Sequence, residues 1–173
     1  MNNLISIFLI SNLISANNFS NSFDLFDSKN QSNKWYVIND DVMGGVSKGK
    51  ISYNKSKFLE FKGKISTDNN GGFSSIRLNI DKTNIGNKKR IVLRVKGDKK
   101  KYQFRIKKND NDFYSYSHTF KTNGKWEDII INLNDFRPTF RGIKLNKKNF
   151  SSKNIDSLSI LVGNEKNEDF KLL

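Results

Sequence analysis

Cysteine is absent from the 173 residues, so the chain can hold no disulfide framework, zinc-thiolate site or cysteine nucleophile. Proline occurs once and glycine 11 times, which excludes a collagen-like or proline-rich linker class. Histidine is single, His118, and acids are in the minority, with 17 Asp and Glu against 31 Lys and Arg. These shortages leave little from which to build nucleophilic or acid–base catalysis. No apolar run has the length that spans a bilayer comfortably.

The length fits one domain of ordinary size. The apolar share is low at 35%, but it includes 14 Phe, so a core can be built from few, large side chains. The formal net charge of +14 is open to two readings. It attracts nucleic acid, anionic membrane or an acidic protein. It also follows from a composition rich in Asn, Lys, Ile and Phe, as an AT-rich coding sequence produces. Lys outnumbers Arg, and Lys is the less discriminating phosphate ligand.

The run LISIFLISNLISA at 4–16 carries no charge and has the length of a signal-peptide core. Ala16 supplies a small residue for cleavage. Only the terminal amine stands in for a basic n-region, and Asn12 interrupts the run. The expectation is an exported protein with a leader at 1–16, a polar joint at 17–22 and a domain at 23–173. An uncleaved anchor giving membrane association, and an ordinary buried strand or helix, are the alternatives, the latter with a cytoplasmic protein.

From Phe23 onward the apolar period is two. Leu59, Phe61 and Ile65 alternate with Glu60, Lys62 and Lys64. Ile91, Leu93 and Val95 alternate with Arg90, Arg94 and Lys96. Tyr102, Phe104 and Ile106 alternate with Lys101, Gln103, Arg105 and Lys107. One face of each strand therefore meets a core and the other meets water, the habit of antiparallel sheets. Further strands are expected at 73–80, 114–120, 126–133 and 158–162. Turn signals lie between them at Asn70-Gly71-Gly72, Gly97-Asp98, 109–112 and Asn123-Gly124. Gly97-Asp98 is expected to join its two strands as a hairpin. Many short strands at this spacing, without an amphipathic helix, give an all-β fold, a β-sandwich or jelly roll.

Three segments stand out from plain strand pattern: WYVINDDVMGGVS at 35–47, NNGGFSSIR at 69–77, and YQFRI at 102–106 followed by FKTNGKWEDIIINLNDFRPTFRG at 120–142. In this order they resemble the complex I intermediate-associated protein 30 family, also called the NADH:ubiquinone oxidoreductase assembly factor domain, over nearly all of the chain from Phe23. The resemblance implies a galactose-binding-domain-like jelly roll, similar to some carbohydrate-binding modules. It also implies the work of an assembly chaperone for respiratory complex I, as in the mitochondrial members. Fold carries across such a likeness more readily than function does.

The residues carry their own reading beside this. Gly44 and Gly45 suit a sharp turn after Val42-Met43. Asn39 or Asp40 can hold that turn by bonding backbone amides. Trp35 and Met43 can bury large area beside it. Gly71 and Gly72 would serve the next strand in the same way. The motif is then either a fold-defining corner or the margin of a partner-binding surface made by Asn39, Asp40, Asp41, Met43, Gly44, Gly45, Gly71, Gly72 and Arg77. Arg77, Arg94, Arg105 and Arg141 are the cations suited to planar, bidentate contacts. Arg77, Arg94 and Arg105 sit on the non-core side of their strands. They would line the concave face of one sheet, or form a solvated face, or pair with Asp40, Asp41 or Glu60.

Other chemistry is disfavoured. Gly45-Val46-Ser47-Lys48-Gly49 matches G-x-S-x-G, but a strand, not a helix, is expected after it and only His118 could serve as base. His118 shares parity with Tyr114, Tyr116 and Phe120 and reads as a partly buried strand residue. Asp40 and Asp41 are adjacent, and adjacent residues of an extended chain point to opposite faces, so they cannot flank one bond. They could join a structural calcium site, though no D-x-D-x-D-G string is present. Basic strands carrying Tyr102 and Phe104 could bind single-stranded nucleic acid, but those aromatics share parity with Ile106 and belong to the core. No cofactor, metal or catalytic residue is expected. The reading is a non-enzymatic binding protein that holds a protein partner, an assembly intermediate. The alternative is a carbohydrate-binding module in which Trp126, Tyr114 and Tyr116 stack on sugar rings.

Overall fold

The computed structural model describes residues 7–10, 23–24, 35–54 and 58–173. Its strands in chain order are β1 (Ile7–Ile10), β2 (Phe23–Asp24), β3 (Tyr36–Asn39), β4 (Lys48–Tyr53), β5 (Leu59–Ile65), β6 (Ser74–Asn84) and β7 (Arg90–Lys96). There follow β8 (Lys101–Lys107), β9 (Ser115–Lys121), β10 (Trp126–Asn132), β11 (Arg137–Phe140), β12 (Ile143–Lys144), β13 (Asn154–Val162) and β14 (Glu168–Leu172). Short 3-10 turns at Asp40–Met43, Asp68–Asn70 and Leu133–Asp135 are the helical elements among the described residues.

Every strand pairing is antiparallel. One layer is a seven-stranded sheet ordered β12-β11-β9-β8-β13-β6-β3. Facing it are a four-stranded sheet, β10-β7-β1-β2, and a three-stranded sheet, β14-β5-β4. The two smaller sheets are stitched together where Lys96 and Leu173 exchange backbone hydrogen bonds of 2.9 Å in both directions. The architecture is the expected jelly-roll β-sandwich.

The core is the alternating set read from the sequence. Leu59, Phe61 and Ile65, then Ile91, Leu93 and Val95, and then Tyr102, Phe104 and Ile106 are all buried in one cluster. Phe61 packs edge-on against Phe170 at 4.7 Å and Phe104 against Phe136 at 5.8 Å. Burying each such side chain is worth roughly 1.5–3 kcal/mol relative to leaving it in water.

Two expectations change. Gly97-Asp98 does not close a hairpin, because β7 pairs with β1 and β10 whereas β8 pairs with β9 and β13. The chain crosses between layers there. Gly97 permits the corner by close approach: a Cβ on it would lie 2.4 Å from the Thr122 side chain. Asp98 then braces the corner, accepting bonds from the Tyr102 hydroxyl at 2.8 Å, the Lys171 amide at 2.9 Å and Lys100 Nζ at 3.0 Å. Burial and the Asp98 carboxylate push the Tyr102 phenol well above its ordinary value.

Glu60 is the second change. It was placed on the solvent side of β5 by alternation, but it is buried and paired with Lys62 and Lys171. Two ion pairs compensate its burial, which a strict two-residue alternation does not foresee.

Of the expected leader at 1–16, residues 7–10 are described. They form β1, which runs antiparallel to β7 with Ile7 opposite Leu93 and Ile10 opposite Arg90. The rest of that segment and the joint at 17–22 lie outside the described residues. Among the described residues no helix is long and apolar enough to cross a membrane.

Candidate functional site

The corner at 39–47 is built around one carboxylate. Asp40 is fully buried. Its Oδ1 accepts the Ser47 amide at 2.9 Å. Its Oδ2 accepts the Ser47 hydroxyl at 2.6 Å, the Gly72 amide at 2.6 Å and the Phe73 amide at 3.2 Å. Burial alone would raise the Asp40 pKa, but these donors together outweigh it and hold it below its ordinary value. Asn39 completes the brace, its side-chain oxygen accepting the Gly49 amide at 3.0 Å and the Ser74 hydroxyl at 2.7 Å.

Two of the glycines in these motifs, Gly45 and Gly71, are explained by the same carboxylate. Gly44 ends the 3-10 turn with φ of 85°, a conformation that favours glycine. A Cβ on Gly45 would lie 2.3 Å from Asp40 Cγ, and one on Gly71 would lie 2.6 Å from Asp40 Oδ2. NDDVMGGVS and NNGGFS are therefore two halves of one buried knot. Asp41 is exposed, so the two adjacent carboxylates are separated in environment. The separation arises from a 3-10 turn and not from the extended chain the sequence suggested. The side chain of Met43 lies outside the described residues.

Ser47 is also part of this knot. It is buried, it bonds Asp40, and its Oγ accepts the Ser66 amide at 3.0 Å. A serine so occupied is a structural strut.

The outer face of the seven-stranded sheet has a different character. Strand register sets Tyr36, Arg77, Ser159, Arg105, Ser117 and Arg137 side by side in one row across six strands. The neighbouring row is Ile38, Ser75, Leu161, Gln103 and Thr119. Neither row contains an acid. Tyr36 is 40% exposed at one margin. In the middle, Arg77, Arg105 and Lys107 line a small recess of about 40 Å3 with Ser75, Ser115, Ser157 and Ser159. Burial, with the Arg77 charge adding to it, pulls the Arg105 guanidinium down to about 10. Burial and Arg77 also lower Lys107, against the opposing pull of Asp110 and Asp112.

The structure thus brings Arg77 and Arg105 together and leaves the other expected cations elsewhere. Arg94 lies on β7 in the opposite layer, where it pairs with Asp128 at 3.1 Å on the surface. The three arginines do not share one sheet, because β7 and β8 belong to different layers. Nor do Arg77 and Arg105 pair with Asp40 or Glu60, since Asp40 bonds backbone amides and Glu60 bonds lysines. Arg141 sits in the β11–β12 turn at φ of 47°, over the Phe140 ring at 5.3 Å.

The aromatics proposed for sugar stacking are also redistributed. Trp126 packs on Phe58 at 4.6 Å, on the edge of the other layer. Tyr116 is buried, and Tyr114 is half-buried against it with their hydroxyls 3.3 Å apart. Besides Tyr36, exposed rings include Phe113, 63% exposed, and Phe140, 38% exposed, in edge contact at 5.4 Å; Phe140 has the parity of Pro138, opposite buried Tyr116, and so lies off the outer row. Sequence reasoning passed over both, because Phe113 follows the 109–112 turn and Phe140 ends a four-residue strand, outside any long alternation. It also passed over Lys107 and the serines of the recess, which carry no signal until register aligns them. His118 lies on the inner side of β9 beside Phe136, ring centroids 5.9 Å apart. Among the described residues there is no cluster of three or more His, Cys, Asp and Glu able to hold a metal.

Comparison with known proteins bears on this geometry. The model of a family described as complex I intermediate-associated protein 30 matches residues 24–173. No curated protein matches the chain. Among solved structures, a family 11 carbohydrate-binding module of a cellulosomal cellulase of Clostridium thermocellum is similar at 17% identity, with a TM-score of 0.59 over 80% of this chain and 84% of that one. A family 11 module from the same organism, in complex with a β-1,3-1,4-mixed-linked tetrasaccharide, is similar at 15% identity, with a TM-score of 0.58 over 97% of this chain and 92% of that one. At such identities these likenesses establish the fold alone.

Proposed function

The chain belongs to the complex I intermediate-associated protein 30 family, and from that premise we propose that it is a non-enzymatic binding protein that holds a protein partner, an assembly intermediate, against the outer face of its seven-stranded sheet. One observation carries the reading: the row from Tyr36 to Arg137 crosses six strands as a continuous band of Arg, Ser and Tyr. Antiparallel pairing fixes that band at both ends, so it meets a partner without reordering its backbone. Arg and Tyr are the residue types that dominate protein contacts.

Affinity capture with the full chain tests this. A specific protein partner should be retained, lost with Arg77→Glu or Arg105→Glu, and kept with Arg94→Glu in the opposite layer. Equal loss from all three, or a chemical turnover that co-purifies with the chain, would refute the reading.

A second reading is favoured by Phe113 and Phe140, an exposed pair of rings in edge contact. Such rings stack on sugars, with Arg and Ser bonding hydroxyls, and the two similar solved structures are carbohydrate-binding modules. Retention on a mixed-linked β-glucan column, lost with Phe113→Ala while folding is intact, would establish it.

The compartment belongs to the same proposal. Export through a leader at 1–16 would present the face outside the cytoplasm, and N-terminal sequencing of the mature protein tests it. A mature chain that begins at Met1 would refute cleavage.

A further inference from the structure

The charge in the recess is unbalanced at one point. Among the described residues neither Arg77 nor Arg105 forms an ion pair. Arg105 spends its Nε on the side-chain oxygen of Gln103 at 2.7 Å, which leaves the rest of its fork of donors. Register puts Ser159 between the two arginines, so their backbones stand two strand spacings apart, roughly 10 Å. Side chains of that length can close on one small group from both sides.

The nearby acids do not cancel this charge. Lys107 Nζ donates to the carbonyls of Asp110 and Asp112 at 2.9 and 2.6 Å. The Asp110 carboxylate accepts the Ser157 hydroxyl at 2.8 Å. These groups answer Lys107 and leave the arginines unanswered. Like charges held together out of bulk water repel, and the arrangement relaxes when an anion enters.

We propose that the recess between Arg77 and Arg105 is an oxyanion site. It takes a carboxylate or phosphate group presented by the protein partner, an acidic or a phosphorylated side chain. Guanidinium forks match the oxygens of either group, and Ser115 and Ser159 line the same recess with hydroxyls that can donate, whereas the Ser75 hydroxyl already donates to the Ile38 carbonyl at 3.1 Å. At about 40 Å3 the recess is far smaller than a small-molecule pocket, so it admits one small anionic group at most. The source of the anion rests on the partner reading above, whereas the site itself does not.

The test is thermal unfolding and amide NMR of the full chain, titrated first with inorganic phosphate. Three peptides of equal length follow, carrying glutamate, phosphoserine or glutamine at the centre. Phosphate should raise Tm and shift the amides of Arg77, Arg105 and Ser159. The apparent affinity should fall at least tenfold in Arg77→Gln and in Arg105→Gln, and should hold in Lys50→Gln, an equal charge change on β4. Without anion, the two arginine variants should unfold at the wild-type Tm or above it, because each removes a like-charge neighbour. A purely structural arginine would lower it. Should Arg105→Gln fail to fold, Arg77→Gln gives the same reading alone.

Whichever anionic peptide binds more tightly identifies the source, and the glutamine peptide should not bind. No response to phosphate, or an equal loss in Lys50→Gln, would overturn the site. Arginine-dependent phosphate binding with no response to either anionic peptide would overturn the partner source and keep the site.

Discussion

Asp40 reaches Gly72 across the sandwich corner, its Oδ2 2.6 Å from the Gly72 amide, so a single side chain ties the turn after β3 to the entry of β6. Three further donors share that carboxylate. Removing it strands buried N–H groups, each of which carries its full desolvation penalty. Asp40→Ala should therefore lower unfolding stability by about 3 kcal/mol or more. Asp40→Asn should lower it nearly as much, because its NH2 group would face a donor. Urea denaturation of the variants against wild type gives the measurement, and a change under about 1 kcal/mol would contradict the hub.

Acid should unfold the protein through two carboxylates. The pKa of Asp40 is held below its ordinary 3.8, and that of Glu60, bonded by Lys171 and Lys62, below its ordinary 4.5. The unfolded chain binds these protons more readily than the folded one, so unfolding takes up protons at low pH. The stabilisation is whole above the ordinary values and disappears as pH falls through the lower folded ones. Stability measured from pH 6 to pH 2 should drop below about 4.5. Glu60→Gln should flatten the upper part of that drop and Asp40→Asn the lower part.

Two adjacent glycines should respond unequally to the same substitution. Gly44 has a left-handed φ of 85° and open space where a Cβ would go, whereas on Gly45 a Cβ would collide with Asp40 Cγ at 2.3 Å. Gly44→Ala should cost about 1 kcal/mol, the local backbone strain. Gly45→Ala must move the buried carboxylate and should cost several times that, approaching the Asp40→Ala value. Thermal unfolding of the pair decides it, and equal losses would show that the Asp40 knot yields easily.

Removal of residues 1–16 should change association more than folding. β1 bonds along β7 and so covers a backbone edge that is otherwise open to another strand. A chain beginning at Asn17 should still unfold cooperatively, because strands β5 to β14 supply a large buried cluster of their own. It should also self-associate more readily than the full chain, by light scattering at matched concentration. Identical behaviour would mean that β1 protects nothing.

Alternation made most of the sandwich legible. Phe61, Leu93, Phe104 and Ile106 are buried as their parity requires, because a sheet with one wet face leaves no other choice. Layer assignment was not legible. Gly97-Asp98 has the composition of a hairpin turn and serves as a corner, since both need a glycine and a carboxylate that bonds locally. The Asp40 knot was half visible: a turn-holding acid followed by glycines could be read, but not its bonds to Gly72 and Phe73, more than thirty residues away. For the outer face, parity marked Arg77, Arg94 and Arg105 alike as non-core. Only register separates Arg94, beside Asp128, from the two that share Ser159.

Pairing of β6 with β13 sets Arg77 beside Ser159 at the centre of the large sheet, although some eighty positions of chain lie between them. Joining such distant segments is slow, because loop-closure entropy is spent before any contact rewards it. During synthesis β6 has no β13 to pair with until the chain has emerged as far as Val162. The row of Arg and Ser across the large sheet is therefore unfinished until both segments have been made.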